Sequence, residues 1–136
     1  MDEPISNAGK PRIFAFIIDN LIATIISFAA IAALKSVSAA TNAAVLCLTY
    51  LSYYLLFETF WSRTPGKFFQ RLEVQQLNGG SCGFKAALIR TVLRVVEVNP
   101  LLFGGLPAGI AIMSSQRKQR LGDMLARTIV RSTQKR

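Results

Sequence analysis

Two long apolar runs dominate the pattern of hydrophobic and polar positions along the chain. Ile13–Leu34 contains 22 residues with Asp19 as its only charged side chain, and Ala43–Trp61 contains only Glu58. At 1.5 Å per residue, 22 helical residues extend about 33 Å, enough for a hydrocarbon core of about 30 Å. These runs predict two transmembrane helices. The first is too long for a signal peptide and no convincing cleavage site follows it, so we interpret it as a retained anchor.

Polar sequence separates and follows the two spans. A short link, Lys35–Asn42, joins them, and a polar loop, residues 62–85, follows the second span. Within this loop Arg63–Lys67 reads as a turn, while apolar and polar residues alternate over Arg71–Leu77, which predicts a short strand. Asn78–Gly80 then supplies residues that tolerate a positive φ and end the strand.

The third hydrophobic segment, residues 86–114, is broken by helix-disrupting residues. Asn99-Pro100 interrupts it, and Gly104, Gly105 and Pro107 follow. One interpretation is a single span over Val95–Met113. The other is a hairpin of two short helices, Phe84–Val98 and Leu101–Ser115, that enters the membrane and returns. Non-helical backbone at that depth is tolerated only where protein covers it or where it lines a wet cavity.

The distribution of charge favours the hairpin. The chain has 16 Lys and Arg against 7 Asp and Glu. The positive-inside rule places the N-terminus and the loop after the second span in the cytoplasm, with Lys35 outside. A single third span would leave the seven cations of the basic tail, residues 115–136, outside. A hairpin returns them and lets the strand around Val74 pair with the β-branched stretch around Ile129.

These elements predict one domain over residues 1–136 and an all-α membrane protein. The expected fold is a small helical bundle of two clear transmembrane helices plus a Pro/Gly-broken third segment, with a short cytoplasmic β pair. The chain has no histidine, and Cys47 and Cys82 are expected to be free thiols. Without a nucleophile–base arrangement, cofactor loop or metal motif, we expect no enzyme, no cofactor and no metal site. No nucleic-acid-binding motif accounts for the basic charge.

Three carboxylates lie in apolar segments and carry the candidate chemistry. They are Asp19, Glu58 and Glu97. Ionisable residues at membrane depth are costly and point to a function with a paired group. Arg12 shares a helix face with Asp19, and Arg94 with Arg90 shares one with Glu97. The cluster is either a cation or proton site or a structural ion-pair network, and both interpretations stay open.

Three motifs in order resemble the RDD family of bacterial membrane proteins. The first is Arg12 with Asp19, the second is Arg63-Thr64-Pro65-Gly66-Lys67 with the strand that follows, and the third is Arg120–Val130. The resemblance extends over about Pro11–Arg131. The arginine and two aspartates of the family name map onto Arg12, Asp19 and Asp123, and the motifs also include Arg63, Pro65, Gly66, Lys67, Arg120 and Gly122. Glycine is usual in the family where Arg127 stands, and aspartate is common where Glu97 stands.

The resemblance implies a multi-pass protein of the bacterial inner membrane with a cytoplasmic N-terminus. It also implies a link to ion transport, including sodium/proton exchange. The first hypothesis is therefore transport of a cation, Na⁺ or H⁺, through the carboxylate cluster, and a chain this short would need to form a homo-oligomer. The alternative is a non-transporting module that binds a partner protein or anionic lipid headgroups through its basic cytoplasmic face.

Overall fold

The computed structural model describes residues 9–35, 38–97, 110, 113–114 and 119–133. The elements, in chain order, are the helices and strands α1 (Gly9–Leu34), α2 (Ala39–Trp61), α3 (Pro65–Phe69), β1 (Leu72–Gln76), α4 (Gly83–Glu97), α5 (Leu121–Leu125) and β2 (Thr128–Ser132).

The two long helices confirm the predicted spans. Lys10–Leu34 and Ala39–Trp61 contain 25 and 23 residues with mean hydropathies of 2.1 and 1.4, and among the described residues they are the two candidates for crossing a bilayer. Both helices begin earlier than predicted. Pro11 lies in the first turn of α1, where its missing N–H costs nothing, and Ala39 and Ala40 are strong helix formers that extend α2 into the polar link.

The polarity of α1 is reversed relative to a helix of a water-soluble protein. Its buried face carries Arg12, Asp19 and Ser27 among small alanines, while large side chains such as Ile13 (60% exposed) and Leu21 (61%) point outward. An exposed apolar stripe of this length is stable only where the surroundings are apolar. The outer face of α1 therefore matches hydrocarbon.

The same reversal occurs on α2 and α4. Tyr54 and Glu58 are buried on α2, whereas Leu56 and Phe60 are exposed. The apolar stripe of α4 is exposed and its polar residues face inward; the stripe consists of Phe84, Leu88, Val92, Val95 and Val96. All three helices thus direct polar groups toward one another and apolar groups outward.

Hydrogen bonds set the directions of the helices. Asn20 of α1 accepts from the hydroxyl of Tyr50, and the hydroxyl of Ser27 lies 3.5 Å from the carbonyl oxygen of Leu46. From Asn20 to Ser27 on α1, the partner on α2 moves back from Tyr50 to Leu46, so α1 and α2 are antiparallel. By the same argument α4 runs antiparallel to the second half of α2 and parallel to α1, since Arg90 contacts Glu58 and Arg94, one turn later, lies over the ring of Tyr54.

The segment after α2 is a helix where a turn was predicted. Instead of a turn over Arg63–Lys67, the chain forms the five-residue helix α3, with Pro65 at its start. Proline suits this position because its fixed φ matches the helix and its N–H would be unpaired. The amide of Phe68 donates to the carbonyl of Thr64 at 2.8 Å and closes the first turn.

The predicted β pair is confirmed. β1 and β2 form an antiparallel two-stranded sheet in which Val74 pairs with Val130. The sheet places β2 on the side on which α2 ends. The choice between the predicted hairpin and a single third span depends on residues outside the described ones. α4 corresponds to the first helix of that hairpin. The second, Leu101–Ser115, lies outside the described residues except for positions 110, 113 and 114.

Candidate functional site

A cluster of charged side chains fills the space among the helices at the end where α1 begins and α2 ends. We call it the charge cluster. Its members are Arg12, Asp19, Glu58, Lys67, Arg90, Arg94, Glu97, Arg120 and Asp123. All are buried except Arg120, which is partly exposed. Buried charges are tolerated only when they are paired and hydrogen-bonded, so their partners decide what the cluster does.

Asp19 is held by uncharged donors. The hydroxyl of Tyr53 donates to Oδ1 at 3.0 Å, the hydroxyl of Thr64 donates to Oδ2, and the backbone amide of Gly66 donates to Oδ1 at 2.8 Å. The three donors together occupy both oxygens of the carboxylate. Asp19 thereby ties α1 to α2 and to the first turn of α3.

Glu58 is surrounded by three cations. Lys67 donates to Oε1, Arg90 Nε lies 2.8 Å from Oε2, and Arg94 Nη2 lies 3.7 Å from Oε1. Burial lowers the pKa of Lys67 to about 8, an effect that the ion pair with Glu58 opposes but does not cancel. Near neutral pH Lys67 remains protonated, and the group is an intact ion-pair network.

Arg90 is the centre of that network. Besides Glu58 it contacts Asp123 through Nη1, and the same nitrogen lies 2.9 Å from the hydroxyl of Thr128. Asp123 also accepts from Arg12 Nη2 at 2.7 Å and from the backbone amide of Arg120 at 3.1 Å. Burial raises the pKa of Asp123, but the arginines together outweigh it and lower the value to about 2. Asp123 is therefore a fixed anion that joins the tail to α1 and α4.

Arg94 and Glu97 lie further along α4 than Arg90. Glu97 accepts a hydrogen bond of 2.9 Å from the backbone amide of Gly122, and does not pair with the arginines that share its helix face. The guanidinium of Arg94 stacks over the ring of Tyr54, with its Cζ 3.6 Å from the ring centroid. A cation over an aromatic face in a desolvated site stabilises by about 2 kcal/mol.

A small cavity lies between these side chains. Its volume is about 10 Å³, room for roughly one water molecule. Its charged lining consists of Arg12, Asp19, Lys67, Arg90, Arg94 and Arg120. Five cations and one carboxylate therefore face this cavity.

The charge cluster is built from two matching halves of the chain. Arg12 precedes Asp19 by seven residues, and Arg90 precedes Glu97 by the same number. The amide of Gly66 donates to Asp19, and that of Gly122 donates to Glu97. Each glycine lies in a five-residue helix that leads into a strand, so the second half repeats the first.

The two repeats also share an unusual backbone conformation. Arg71 follows Gly66 by five residues and Arg127 follows Gly122 by five, and their φ values are +53° and +52°. The amide of Arg71 donates to the carbonyl of Phe68, and the amide of Arg127 donates to the equivalent Met124. This left-handed residue turns each short helix into its strand.

The structure brings together most, but not all, of the residues singled out from the sequence. The predicted residues Arg12, Asp19, Glu58, Arg94 and Glu97 all lie in the charge cluster, as do the motif residues Lys67, Arg120 and Asp123. The motif glycines Gly66 and Gly122 each donate a backbone hydrogen bond to one of its carboxylates. Arg63 lies apart, with its Cζ 5.3 Å from the ring centroid of Phe68. Gly122 lies in α5, without a positive φ.

Three residues that build the site were not identified as such from the sequence. It placed Lys67 in a surface turn, assigned no role to Thr64, and left Arg90 as one of several arginines. The signal that identifies Arg90 is its position, seven residues before Glu97, which repeats the spacing of Arg12 and Asp19. In the described part of the chain, no three His, Cys, Asp or Glu side chains converge as a metal site would require.

The chain was compared with protein families, curated proteins and solved structures. No curated protein and no solved structure matches it. The family model of the RDD family matches residues 9–127, which include the two apolar helices, the charge cluster and both copies of the repeat except β2. The chain therefore belongs to the RDD family of membrane proteins.

Proposed function

We propose that this protein is a non-catalytic, non-transporting membrane module that binds anionic phospholipid through a basic rim. The charge cluster fixes the fold, and the rim surrounds it on the side where α1 begins. The exposed cations of the rim are Lys10, Arg71, Lys85, Arg127 and Arg131. The positive-inside rule then places this side in the cytoplasm and Lys35 outside.

The observation that supports a non-transporting role is that the buried carboxylates already accept hydrogen bonds or ion pairs from donors of the protein itself. Asp19 takes three neutral donors, and Glu58 and Asp123 are neutralised by Lys and Arg. A transported cation needs oxygen ligands that are free to coordinate it. The oxygens of these carboxylates already accept from donors of the protein, so the geometry favours a structural role over cation transport.

Aromatic side chains accompany the rim. Phe68 and Phe69 on α3 are exposed, and so is Trp61 at the end of α2. Aromatic rings of this kind settle at the headgroup level of a bilayer. Each Lys or Arg near an anionic surface contributes about 1 kcal/mol to binding. Five exposed cations beside an aromatic belt thus match an anionic lipid leaflet.

Trp61 provides the test, because it is the single tryptophan of the chain and is adjacent to the rim. The purified protein is reconstituted into phosphatidylcholine bilayers, and its fluorescence is quenched with brominated phosphatidylglycerol or brominated phosphatidylcholine. We expect stronger quenching by the anionic lipid, and equal quenching when Arg71, Lys85 and Arg131 are all changed to Gln. Lys35→Gln, at the other end of α1, is the matched control and retains the preference.

Two results would overturn the proposal. One is equal quenching of the wild-type protein by both lipids. The other is proton flux in liposomes driven by Na⁺, K⁺ or Li⁺ that exceeds the flux of empty liposomes and disappears in a folded Asp19→Asn variant. The second result would establish cation transport through the charge cluster.

A further inference from the structure

The cavity within the charge cluster has an unbalanced charge. Among the described residues, five cations of the charge cluster face four carboxylates, Asp19, Glu58, Glu97 and Asp123, which leaves an excess of one positive charge in a largely buried place. Only Asp19 among the four lines the cavity. An uncompensated buried cation is costly, so a site of this kind favours a bound anion.

Two arginines that line the cavity have unused donors. Nε of Arg94 and Nε of Arg120 are buried, and no described residue accepts a hydrogen bond from either. The Arg94 side chain is 5% exposed. Buried polar groups of folded proteins are nearly always paired, and an orphaned donor at a cavity calls for a ligand or a water molecule. Arginine presents N–H groups in a fixed fork that matches oxyanions.

We propose that this cavity is an anion site that takes one oxygen of a phosphate group, supplied by a phospholipid headgroup or by free phosphate. The size of the cavity admits a single water-sized atom, so one phosphate oxygen enters and the rest of the group stays outside. Arg94 and Arg120 donate to that oxygen, and Arg12 contributes positive charge. The site lies between the two repeats, since Arg12 belongs to the first and the other two to the second.

The environment of Arg120 agrees with an anion at this place. Burial, with the nearby charges of Arg94 and Arg12, lowers the pKa of Arg120 to about 10 against the opposing effect of Asp123. An anion between Arg94 and Arg120 would relieve this repulsion. The site rests on the proposed function only if a lipid headgroup supplies the phosphate group, because free phosphate would bind without any contribution from the rim.

The experiment uses the purified full chain in a neutral detergent. Thermal unfolding is followed with increasing inorganic phosphate, against sodium chloride at equal ionic strength, and separately with short-chain phosphatidic acid against short-chain phosphatidylcholine. We expect a rise in melting temperature specific to the phosphate compounds. Protection by inorganic phosphate identifies free phosphate as sufficient, and protection by phosphatidic acid alone identifies the headgroup. Either result supports the site when Arg120→Gln loses the protection, because binding to the rim does not depend on Arg120.

Arg120→Gln is the decisive variant, because no described carboxylate forms an ion pair with its side chain. Loss of a charge-assisted hydrogen bond weakens phosphate binding by about ten- to hundredfold. Lys35→Gln, an exposed position outside the rim with the same change in charge, is the matched control and binds as the wild type does. Arg120→Gln also retains the lipid preference of the rim, which separates failure of this site from failure of the proposed function.

The proposal fails if the phosphate compounds protect no better than their controls, or if Arg120→Gln responds as the wild type does. Should Arg120→Gln not fold, calorimetric titration of the wild-type protein with inorganic phosphate and phosphatidic acid decides. Saturable binding of either at one site per chain supports the proposal. If the heat of binding saturates for neither compound, the proposal is overturned and the cavity holds water.

Discussion

Val74 and Val130 face each other at the centre of the two-stranded sheet. They are also equivalent positions of the two repeats, since each follows the glycine of its short helix by eight residues. An antiparallel pair in which a residue meets its own equivalent has a two-fold axis through that pair. The sheet is therefore the point about which the two halves of the chain are related.

The direction of the helices defines the kind of repeat. α1 and α4 begin on the same side and run parallel, so the axis lies along the bundle and not across it. Parallel repeats of this type occur in membrane proteins, and the interface between them is a usual place for polar sites. Here Arg12 of the first repeat and Arg90 of the second converge on Asp123.

The close approach of α3 to α1 makes Gly66 intolerant of a side chain. A Cβ at Gly66 would lie 2.3 Å from the carbonyl oxygen of Ala15 and 2.8 Å from the side chain of Asp19. Because the first of these is backbone, α3 must move away and weaken the hydrogen bond to Asp19. We expect Gly66→Ala to destabilise the protein by about 1–3 kcal/mol or more, measured as thermal unfolding in detergent.

Gly122 supplies the control for that prediction. A Cβ there would meet its nearest heavy atom, Cα of Arg90, at 3.5 Å, an ordinary contact. Gly122→Ala should therefore unfold within a few degrees of the wild type. Equal effects of the two substitutions would show that the packing of α3 against α1 is looser than the structure indicates.

Arg90 cannot be replaced by lysine without loss of stability. It uses Nε toward Glu58 and Nη1 toward Asp123, whereas a lysine offers one ammonium group that cannot span both carboxylates. Arg90→Lys should lower the unfolding free energy by about 3 kcal/mol, because it leaves a buried carboxylate underpaired. Arg71→Lys, at an exposed position, is the matched control; a comparable loss there would contradict a special role for Arg90.

Much of the fold follows from local sequence pattern. The spans were predictable because α1 and α2 are long apolar runs, and β1 because its residues alternate. α3 was missed because a five-residue helix has too few turns to produce a periodic pattern, so its Pro-Gly start reads as a turn. The early starts of α1 and α2 lie where boundaries depend on capping more than on hydropathy.

The sequence could predict most residues of the charge cluster, but it could not predict which of them pair with each other. The sequence indicates that Asp19, Glu58 and Glu97 need partners, and helix periodicity offers the nearest arginines along the same helix. The structure pairs across elements instead, with Asp19 to α3 and Glu58 to α4. Such long-range choices depend on how helices pack, which spacing along one helix does not determine.

The depressed pKa of Asp123 predicts a loss of stability in acid. Its value is about 2 in the folded protein against an ordinary 3.8. Because the folded pKa is the lower one, the stabilisation is fully present above the unfolded pKa and is lost as the pH falls through about 2. Melting temperatures measured from about pH 6 downward should fall below about pH 4 in the wild-type protein.

Asp123→Asn should abolish that part of the acid dependence and should already be destabilised near neutral pH. Glu73→Gln, a half-buried strand position with the same change in charge, serves as the control and should keep the wild-type acid profile. An unchanged acid profile in Asp123→Asn would show that the ion pairs with Arg12 and Arg90 do not stabilise the fold.

The left-handed backbone at Arg127 predicts a stabilising substitution. A non-glycine residue at φ +52° is strained because its Cβ crowds the following carbonyl oxygen, and glycine removes that contact. The Arg127 side chain is exposed, so little packing is lost. We expect Arg127→Gly to raise the unfolding free energy by about 1 kcal/mol, offset in part by the entropy of glycine in the unfolded chain. Arg131→Gly, in the extended strand β2, should do the opposite, since glycine weakens a strand. If both glycines destabilise equally in thermal unfolding, the conformation at Arg127 is not a source of strain.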